Sequence, residues 1–164
     1  MADLLVKLYE LEDSVDYTEL KKQNIVIKKA FIGDKSAILD FVKDNFPEAP
    51  GWAGECEYAL LNNPVSCFIA VKEKNLAGFA CYDATARGFF GPLGVGKKFR
   101  KGGIGRYLLK RALLSMRELG YAYAVIGWAA ENALEFYRKA AGAVIIGDSP
   151  PEKSIYKNMI ATQW

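Results

Sequence analysis

The sequence predicts an α/β (α+β) fold in which a mixed sheet of about seven strands carries helices on both faces. Two observations lead to this fold class. A hairpin comes early, where the apolar runs 65–72 and 76–84 flank a short polar turn. A strand–helix–strand unit follows between residues 89 and 128. The length of 164 residues favours a single domain over 1–164, in which residues 1–24 form an N-terminal extension.

The first half of the chain is predicted to form one strand, two helices and the hairpin. The strand at 25–29 is short and β-branched. The helix at 33–46 has apolar residues at helical spacing and is stopped by Pro47 and Pro50. A second helix over 52–63 ends before Pro64. For residues 4–11 a helix and an added strand both remain open.

The second half is predicted to alternate strands and helices. The strand at 89–95 contains two glycines and a proline, which suggests a bulge or an edge. A long amphipathic helix over 104–120 ends at Gly120, and a shorter one over 131–142 ends at Gly142. The remaining strands are expected at 121–128, 143–146 and 154–160.

The composition excludes several classes of site. The chain has no histidine, so Ser-His and Cys-His nucleophiles are impossible and the commonest transition-metal ligand is missing. The three cysteines, Cys56, Cys67 and Cys81, are odd in number and lack zinc-site spacing, which favours buried, reduced thiols in a cytoplasmic protein. No apolar run is long enough to span a bilayer. We therefore expect no metal and no membrane partner.

The positive charge is concentrated in one segment. Seven of the 22 Lys and Arg residues lie between 97 and 111, with no acidic residue among them, and the other 15 face 19 acidic residues in the rest of the chain. Such a local patch indicates one anionic ligand and argues against a nucleic-acid partner, which is kept as the less favoured alternative.

This basic segment overlaps the glycine-rich stretch GPLGVGKKFRKGGIGR at 91–106. It is not a P-loop, because Lys98 stands where a magnesium-binding hydroxyl is needed. It is not a dinucleotide fingerprint either, because Phe99 and Leu108 occupy the positions of the required glycines. Glycines at a helix N-terminus do, however, expose N–H groups to a phosphate or pyrophosphate. A solvated basic loop is the alternative interpretation.

The sequence RKGGIG at 100–105 fits the pattern R/Q-x-x-G-x-G/A, and FFGPLGV precedes it while YAYAVIGW and ENALEFYRKAAGAVII follow. In this combination the chain resembles the GNAT superfamily of N-acetyltransferases over roughly residues 25–160. The run from Ser66 to Val95 is also similar to one bacterial branch of that superfamily. The resemblance implies a mostly antiparallel sheet whose fourth and fifth strands, here 89–95 and 121–128, are splayed apart. It also implies acetyl-CoA as cosubstrate, a small-molecule or peptide amine as acceptor, and direct transfer in a ternary complex.

The resemblance assigns roles to individual residues. The backbone of Leu93 and Val95 is implied to pair with the pantetheine arm, with the Val95 amide polarising the thioester carbonyl. Asn132 is implied to contact the arm, and Tyr137 to act as general acid. The implied pyrophosphate-binding residues are Arg100, Lys101, Gly102, Gly103, Ile104, Gly105 and Arg106.

Each assignment has a structural alternative. Tyr137 could be a core aromatic beside Phe136, and Asn132 could be a helix cap. A tyrosine is protonated at neutral pH and can donate to a departing thiolate, because its ordinary pKa is about 10 and that of a thiol about 8.5. The lysines that either reach a 3′-phosphate or remain solvated are Lys98, Lys101 and Lys139.

The general base is not determined by the sequence. The candidates are Glu55, Glu57, Asp83 and Glu131, or an ordered water, and each carboxylate could equally be a solvated surface group. Of these, Glu55 and Asp83 are the main candidates. Trp52 and Tyr58 could wall an acceptor pocket or only pack. A non-catalytic acyl-CoA-binding or sensing module stays open as an alternative function, and exposed final strands allow a homodimer.

Overall fold

The computed structural model describes residues 1–160, and a seven-stranded sheet lies at its centre. Its strand order is β2-β3-β4-β5-β6-β1-β7, and every neighbouring pair is antiparallel except β5–β6. The strands are β1 (Ala2–Lys7), β2 (Ile25–Lys29), β3 (Cys67–Lys72), β4 (Asn75–Tyr82), β5 (Phe89–Val95), β6 (Tyr123–Ala129) and β7 (Val144–Ile145). The predicted mixed, mostly antiparallel sheet is therefore confirmed.

Helices cover both faces of this sheet. They are α1 (Thr18–Lys22), α2 (Lys35–Asn45), α3 (Gly51–Leu61), α4 (Ile104–Glu118) and α5 (Glu131–Ala141). Apolar residues of α4 and α5 pack on one face, and those of α2 and α3 on the other. The three cysteines are all buried in the α2/α3 layer as free thiols. None of the helices in residues 1–160 is long and apolar enough to cross a bilayer.

The two ends of the chain have different outcomes: the added strand, one of the two alternatives near the N-terminus, is confirmed, whereas the strand near the C-terminus is not. Residues 2–7, within the predicted extension, form a strand between β6 and β7. The predicted strand at 154–160 is wrong, because the segment forms successive turns. The Ser154 carbonyl accepts from Lys157 N–H and its Oγ accepts from Tyr156 N–H, and Asn158 adopts a left-handed φ of 70°. Serine and asparagine offer the backbone these local bonds in competition with a strand ladder.

Strand β5 contains the expected irregularity. Ala80 of β4 lies opposite Leu93, but Tyr82 lies opposite Phe90, so β5 has one more residue than β4 in this interval. Such a bulge exchanges the sides to which backbone groups point. Beyond it, β5 also separates from β6, because these two strands pair only at Phe89–Val125 and Phe90–Ile126. The expected splaying is confirmed, and the gap between residues 91–95 and 127–129 is called the fork below.

Candidate functional site

The fork exposes backbone groups of β5 on the side that faces β6. Gly96 N–H donates to Ala77 O at 2.9 Å, and this pair fixes the hydrogen-bonding register between β4 and the end of β5. Residues alternate along an antiparallel ladder, so Leu93 and Val95 turn their N–H and C=O groups away from β4. The Val95 carbonyl accepts from Arg100 Nε at 3.1 Å. A ligand with amides of its own could extend the sheet here.

The loop after β5 ends in a concentration of open donors. No oxygen in residues 1–160 accepts a hydrogen bond from the four consecutive N–H groups of residues 102–105. They lie at the start of α4, a helix of 15 residues whose cap residue Gly103 has a φ of 79°. Lys101 also adopts a left-handed φ, of 73°, which is uncommon for a residue with a side chain. Open amides at a helix N-terminus favour an anion.

The basic segment divides into two groups by its ion pairs. Lys110 lies 3.3 Å from Glu12 and Arg111 lies 3.6 Å from Glu118. The other five make no ion pair with any acid in the described part of the chain: Lys97, Lys98, Arg100, Lys101 and Arg106. The positive charge without an acidic partner therefore lies around the N-terminus of α4, called the helix entrance below, whereas the basic residues in the middle of α4 are paired.

The fork, the loop and α5 meet at one place. A Cβ built on Gly105 would lie 3.6 Å from a Val95 methyl and 3.7 Å from the Phe136 ring. Next to Phe136, the Tyr137 ring packs edge-on against Phe90, with 6.4 Å between centroids, where β5 and β6 part. The structure thus brings together the loop, the exposed backbone of β5 and Tyr137.

Tyr137 and Asn132 lie on α5 in different environments. Tyr137 is partly buried, and desolvation raises its pKa to about 12, so the hydroxyl is protonated at neutral pH. That hydroxyl makes no hydrogen bond to residues 1–160. Asn132 is exposed in the first turn and does not cap the helix, because Ala130 holds the cap position. Lys139, on the last turn, pairs with Glu135 at 3.1 Å.

The four candidate carboxylates are not equivalent. Glu57 pairs with Lys35 at 2.6 Å, and this bond lowers its pKa. Asp83 is buried, accepting from Gly88 N–H at 2.7 Å and from the Tyr121 hydroxyl at 2.9 Å. It follows β4, near the C-terminal end of α4, so the structure does not bring it to the loop. Glu131 is exposed at the start of α5.

Glu55 differs from the other three because it is partly buried without a basic partner among the described residues. Burial raises the pKa of its carboxyl, and a hydrogen bond from the Thr85 hydroxyl opposes this shift. It lies on α3, in the same layer as Trp52, which packs against Phe46 and Phe79. Tyr58 is exposed on that helix.

Two residues, one that contacts the fork and one that contacts Glu55, were not predicted as part of the site. Tyr156 stacks on Trp128 with 5.1 Å between centroids, and its hydroxyl lies over Gly127. Desolvation is the main cause that raises the pKa of Tyr156, followed by the charges of Asp3 and Glu55. Thr85 is the second. No spacing pattern reveals Tyr156, although a glycine inside a buried strand can signal a close approach of this kind.

Comparison with known families gives one match. A family model described as "Acetyltransferase (GNAT) family" matches residues 34–143, which include α2 to α5 and strands β3 to β6. No curated protein matches the sequence.

Solved structures with the same fold have low sequence identity to the chain. A GCN5-related N-acetyltransferase from Sphaerobacter thermophilus aligns with a TM-score of 0.71 and 19% identity, over 88% of this chain and 48% of that one. A glucosamine N-acetyltransferase region of a fungal multi-domain β-N-acetylglucosaminidase aligns at 0.70 and 14%, over 88% and 19%. A GNAT family acetyltransferase from Brucella melitensis, in complex with acetyl-CoA, aligns at 0.57 and 17%, over 79% and 92%. The chain thus spans about half or less of the first two structures, and these likenesses concern the fold.

Proposed function

The chain belongs to the GNAT family of acetyltransferases, and from this we propose that it moves the acetyl group of acetyl-CoA to a primary amine of a small molecule or peptide. The observation that carries the proposal is the joining of the fork to the open helix entrance. The fork offers unpaired strand backbone, and the entrance offers four unpaired amides beside uncompensated cations. Coenzyme A carries amides and a pyrophosphate in one molecule, so it matches both features.

In this proposal each part of acetyl-CoA has its own partners. The amides of residues 102–105 bind the pyrophosphate, with charge from Arg106, Arg100 and Lys101. Ile104 contributes its backbone N–H, since its side chain is buried in the core. Leu93 and Val95 pair with the pantetheine amides as a neighbouring strand would. Asn132 lies on the first turn of α5 and contacts the arm from the side.

The transfer proceeds directly between the two bound substrates. The ammonium of the acceptor loses a proton to Glu55, and the free amine nitrogen attacks the thioester carbonyl carbon. The Val95 N–H stabilises the charge that develops on the carbonyl oxygen. The C–N bond forms, the C–S bond breaks, and the nitrogen loses its second proton. Tyr137 donates to the departing sulfur, so the products are an amide, the coenzyme thiol and one net proton.

The environment of Tyr137 limits how it acts. Burial raises its pKa to about 12, which is well above the ordinary value of a thiol, about 8.5. Complete proton transfer to the sulfur is therefore uphill, whereas hydrogen bonding to the developing thiolate is not. We infer that Tyr137 stabilises the leaving group mainly as a hydrogen-bond donor until solvent supplies the proton.

Thermal stability with acetyl-CoA tests the first half of this proposal. A hundredfold excess over Kd stabilises a binder by about 2.7 kcal/mol, which corresponds to a rise of about 5–10 °C for a chain of this size. No shift at millimolar acetyl-CoA would refute the proposal. Coenzyme A and inorganic pyrophosphate provide graded controls.

Turnover tests the second half. Thiol release would be followed with glucosamine, sisomicin, spermidine and a short peptide as acceptors. The first two are taken from relatives, a glucosamine N-acetyltransferase region and an aminoglycoside acetyltransferase in complex with sisomicin. Tyr137→Phe should lower kcat about 100-fold and leave the acetyl-CoA shift intact. Tyr123→Phe, an exposed tyrosine on β6, is the matched control.

The non-catalytic alternative predicts a different outcome of the same two experiments. An acyl-CoA-binding or sensing module would be stabilised by acetyl-CoA and would release no thiol with any acceptor.

We also propose that residues 1–164 form one domain, and that the protein is cytoplasmic and forms a homodimer. Three buried free thiols, Cys56, Cys67 and Cys81, are compatible with a reducing compartment. Strand β7 pairs with β1 on one side only, and its Val144 and Ile145 are 54% and 59% exposed. A dimer through this edge would disappear, in light scattering, when Val144→Lys is introduced.

A further inference from the structure

Tyr156 reaches the α2/α3 face of the sheet at the fork. Along β6, Ala124, Ile126 and Ala129 belong to the core on the α4/α5 face. Between Ile126 and Ala129, β6 has one more residue than β1, so Gly127 and Trp128 together lie opposite Asp3, on the other face. A side chain at 127 would collide with the Tyr156 hydroxyl and with the Phe89 ring. Only glycine at this position lets the hydroxyl reach the sheet.

Tyr156 therefore lies across the sheet from Tyr137. The Tyr137 ring packs with Phe90 and Phe136, which belong to the α4/α5 core. The Tyr156 ring stacks on Trp128 on the other side, with planes tilted by 39°. Because the two strands are separated at the fork, a reacting group held there is open to both tyrosines.

The Tyr156 hydroxyl has no internal structural role that explains its position. It is partly buried, yet no donor or acceptor in residues 1–160 bonds to it. Its ring packing on Trp128 would be preserved by phenylalanine. The oxygen is not completely buried, so water can bond to it in the free protein, and a ligand that takes the place of this water gains its hydrogen bond.

Two carboxylates make this region electronegative. Asp3 is buried, and its Oδ1 accepts from Trp128 N–H at 2.8 Å, which fixes the carboxylate beside the aromatic pair. Glu55 approaches from α3, and both acids raise the pKa of the Tyr156 hydroxyl, although desolvation is the largest cause. Aromatic faces together with carboxylates favour an ammonium group over an anion.

We propose that Tyr156, whose ring is held on Trp128, and Glu55 form the subsite for the acceptor amine, and that they select a cationic amine without a carboxylate beside it. This inference rests on the proposed function and specifies its acceptor side. The Tyr156 hydroxyl accepts a hydrogen bond from the ammonium and presents its nitrogen to the fork, and Glu55 balances the charge. An amino acid would place its own carboxylate against Glu55 and Asp3 and be excluded.

Amine binding without acetyl-CoA tests this subsite independently of the coenzyme. Calorimetry would measure glucosamine, sisomicin and spermidine, with glycine as the carboxylate-bearing amine, against the wild type, Tyr156→Phe and Tyr123→Phe. We expect at least one of the first three to bind, glycine not to bind, and Tyr156→Phe to weaken binding about tenfold. Tyr123→Phe should bind like the wild type.

Equal affinity in Tyr156→Phe and the wild type would overturn the proposal. Tighter amine binding by Tyr156→Phe would overturn it too, because the tyrosine would then obstruct the fork. A complete lack of amine binding by the wild type would also overturn it. Where an amine is acetylated, Tyr156→Phe should raise its KM about tenfold with little change in kcat. The acetyl-CoA thermal shift of Tyr156→Phe should equal that of the wild type. If the wild type itself shows no such shift, the proposed function is refuted, and the amine-binding measurement still decides whether the subsite exists.

Discussion

At its N-terminus helix α4 leaves four consecutive N–H groups without an acceptor among the described residues, whereas its C-terminus is closed by the chain itself. There Gly120 and Tyr121 donate to carbonyls of the last turn, and Arg117 donates to Leu11 O at 2.9 Å. The Tyr121 hydroxyl binds Asp83, which also accepts from the Gly88 amide. The two ends belong to one amphipathic helix, but only the N-terminal end has a run of N–H groups that are open to a ligand.

This difference indicates how a structural polar group can be distinguished from a binding group. At the C-terminal end these donors have internal partners, so a ligand would have to displace an existing bond. At the N-terminal end a ligand displaces only water, and the uncompensated charges of the loop favour an anion. We expect substitutions at the first end to change ligand affinity and substitutions at the second end to change stability.

Gly103→Asp should break the N-terminal end with the largest effect. Aspartate tolerates the left-handed φ of 79°, and its Cβ would meet the Tyr107 ring at an ordinary 3.5 Å. Its carboxylate would occupy the open amides and repel a pyrophosphate, so acetyl-CoA should bind at least about 100-fold more weakly, or about 2.7 kcal/mol. Isothermal titration calorimetry measures the loss.

Gly103→Asn is the matched control for this prediction. Asparagine has the same shape and tolerates the same φ but carries no charge, so we expect a loss of about tenfold or less. Equal losses in the two variants would mean that steric change, and not anion binding, explains the effect.

The open end was accessible to prediction from the sequence because glycine spacing and a helix start are both local signals. The bulge in β5 was accessible for the same reason, through Gly91, Pro92 and Gly94. The position of Tyr156 was not, because the turns at 154–160 depend on Ser154 and Asn158 outcompeting an alternation that resembles a strand. Residues 4–11 stayed ambiguous because the short, largely apolar run LLVKLYEL fits a helix as well as a strand.

Asp83→Asn should perturb the closed end, through stability. The buried carboxylate accepts two hydrogen bonds, from Gly88 N–H and the Tyr121 hydroxyl, and an amide oriented to one of them turns N–H toward the other. We expect a loss of about 1–2 kcal/mol in the free energy of unfolding, seen in urea denaturation. Turnover per folded molecule should be unchanged, and a specific loss of kcat would instead restore Asp83 as the base.

Arg106→Gln and Arg111→Gln compare the two groups of basic residues. Arg106 has no acidic partner in the described chain, whereas Arg111 pairs with Glu118 and lies over the Phe68 ring. Loss of one phosphate contact should weaken acetyl-CoA binding about fivefold to tenfold for Arg106→Gln and reduce its salt dependence. Arg111→Gln should not change binding. Similar losses for both would show that the whole helix, and not its entrance, provides the charge.

Glu55 combines properties of the two ends of α4. It is partly buried, like the polar groups at the C-terminal end, but its only hydrogen-bond partner among the described residues is the Thr85 hydroxyl. Burial raises its pKa, so the folded protein holds this proton more tightly than the unfolded chain does. The ionised carboxylate therefore destabilises the fold above its folded pKa, and this penalty is absent at pH values below the unfolded pKa, about 4.3. Glu55→Gln should accordingly raise the melting temperature by about 1–2 °C at pH 7.5 and have no such effect near pH 4.

The raised pKa of Glu55 should also place the acidic limb of the kcat/KM profile above the range of an ordinary glutamate, and Glu55→Gln should remove that limb. Glu57→Gln is the matched control, because its partner Lys35 lowers the pKa of Glu57 and the substitution should destabilise slightly at neutral pH. An unchanged acidic limb in Glu55→Gln would show that another group, or water, accepts the proton.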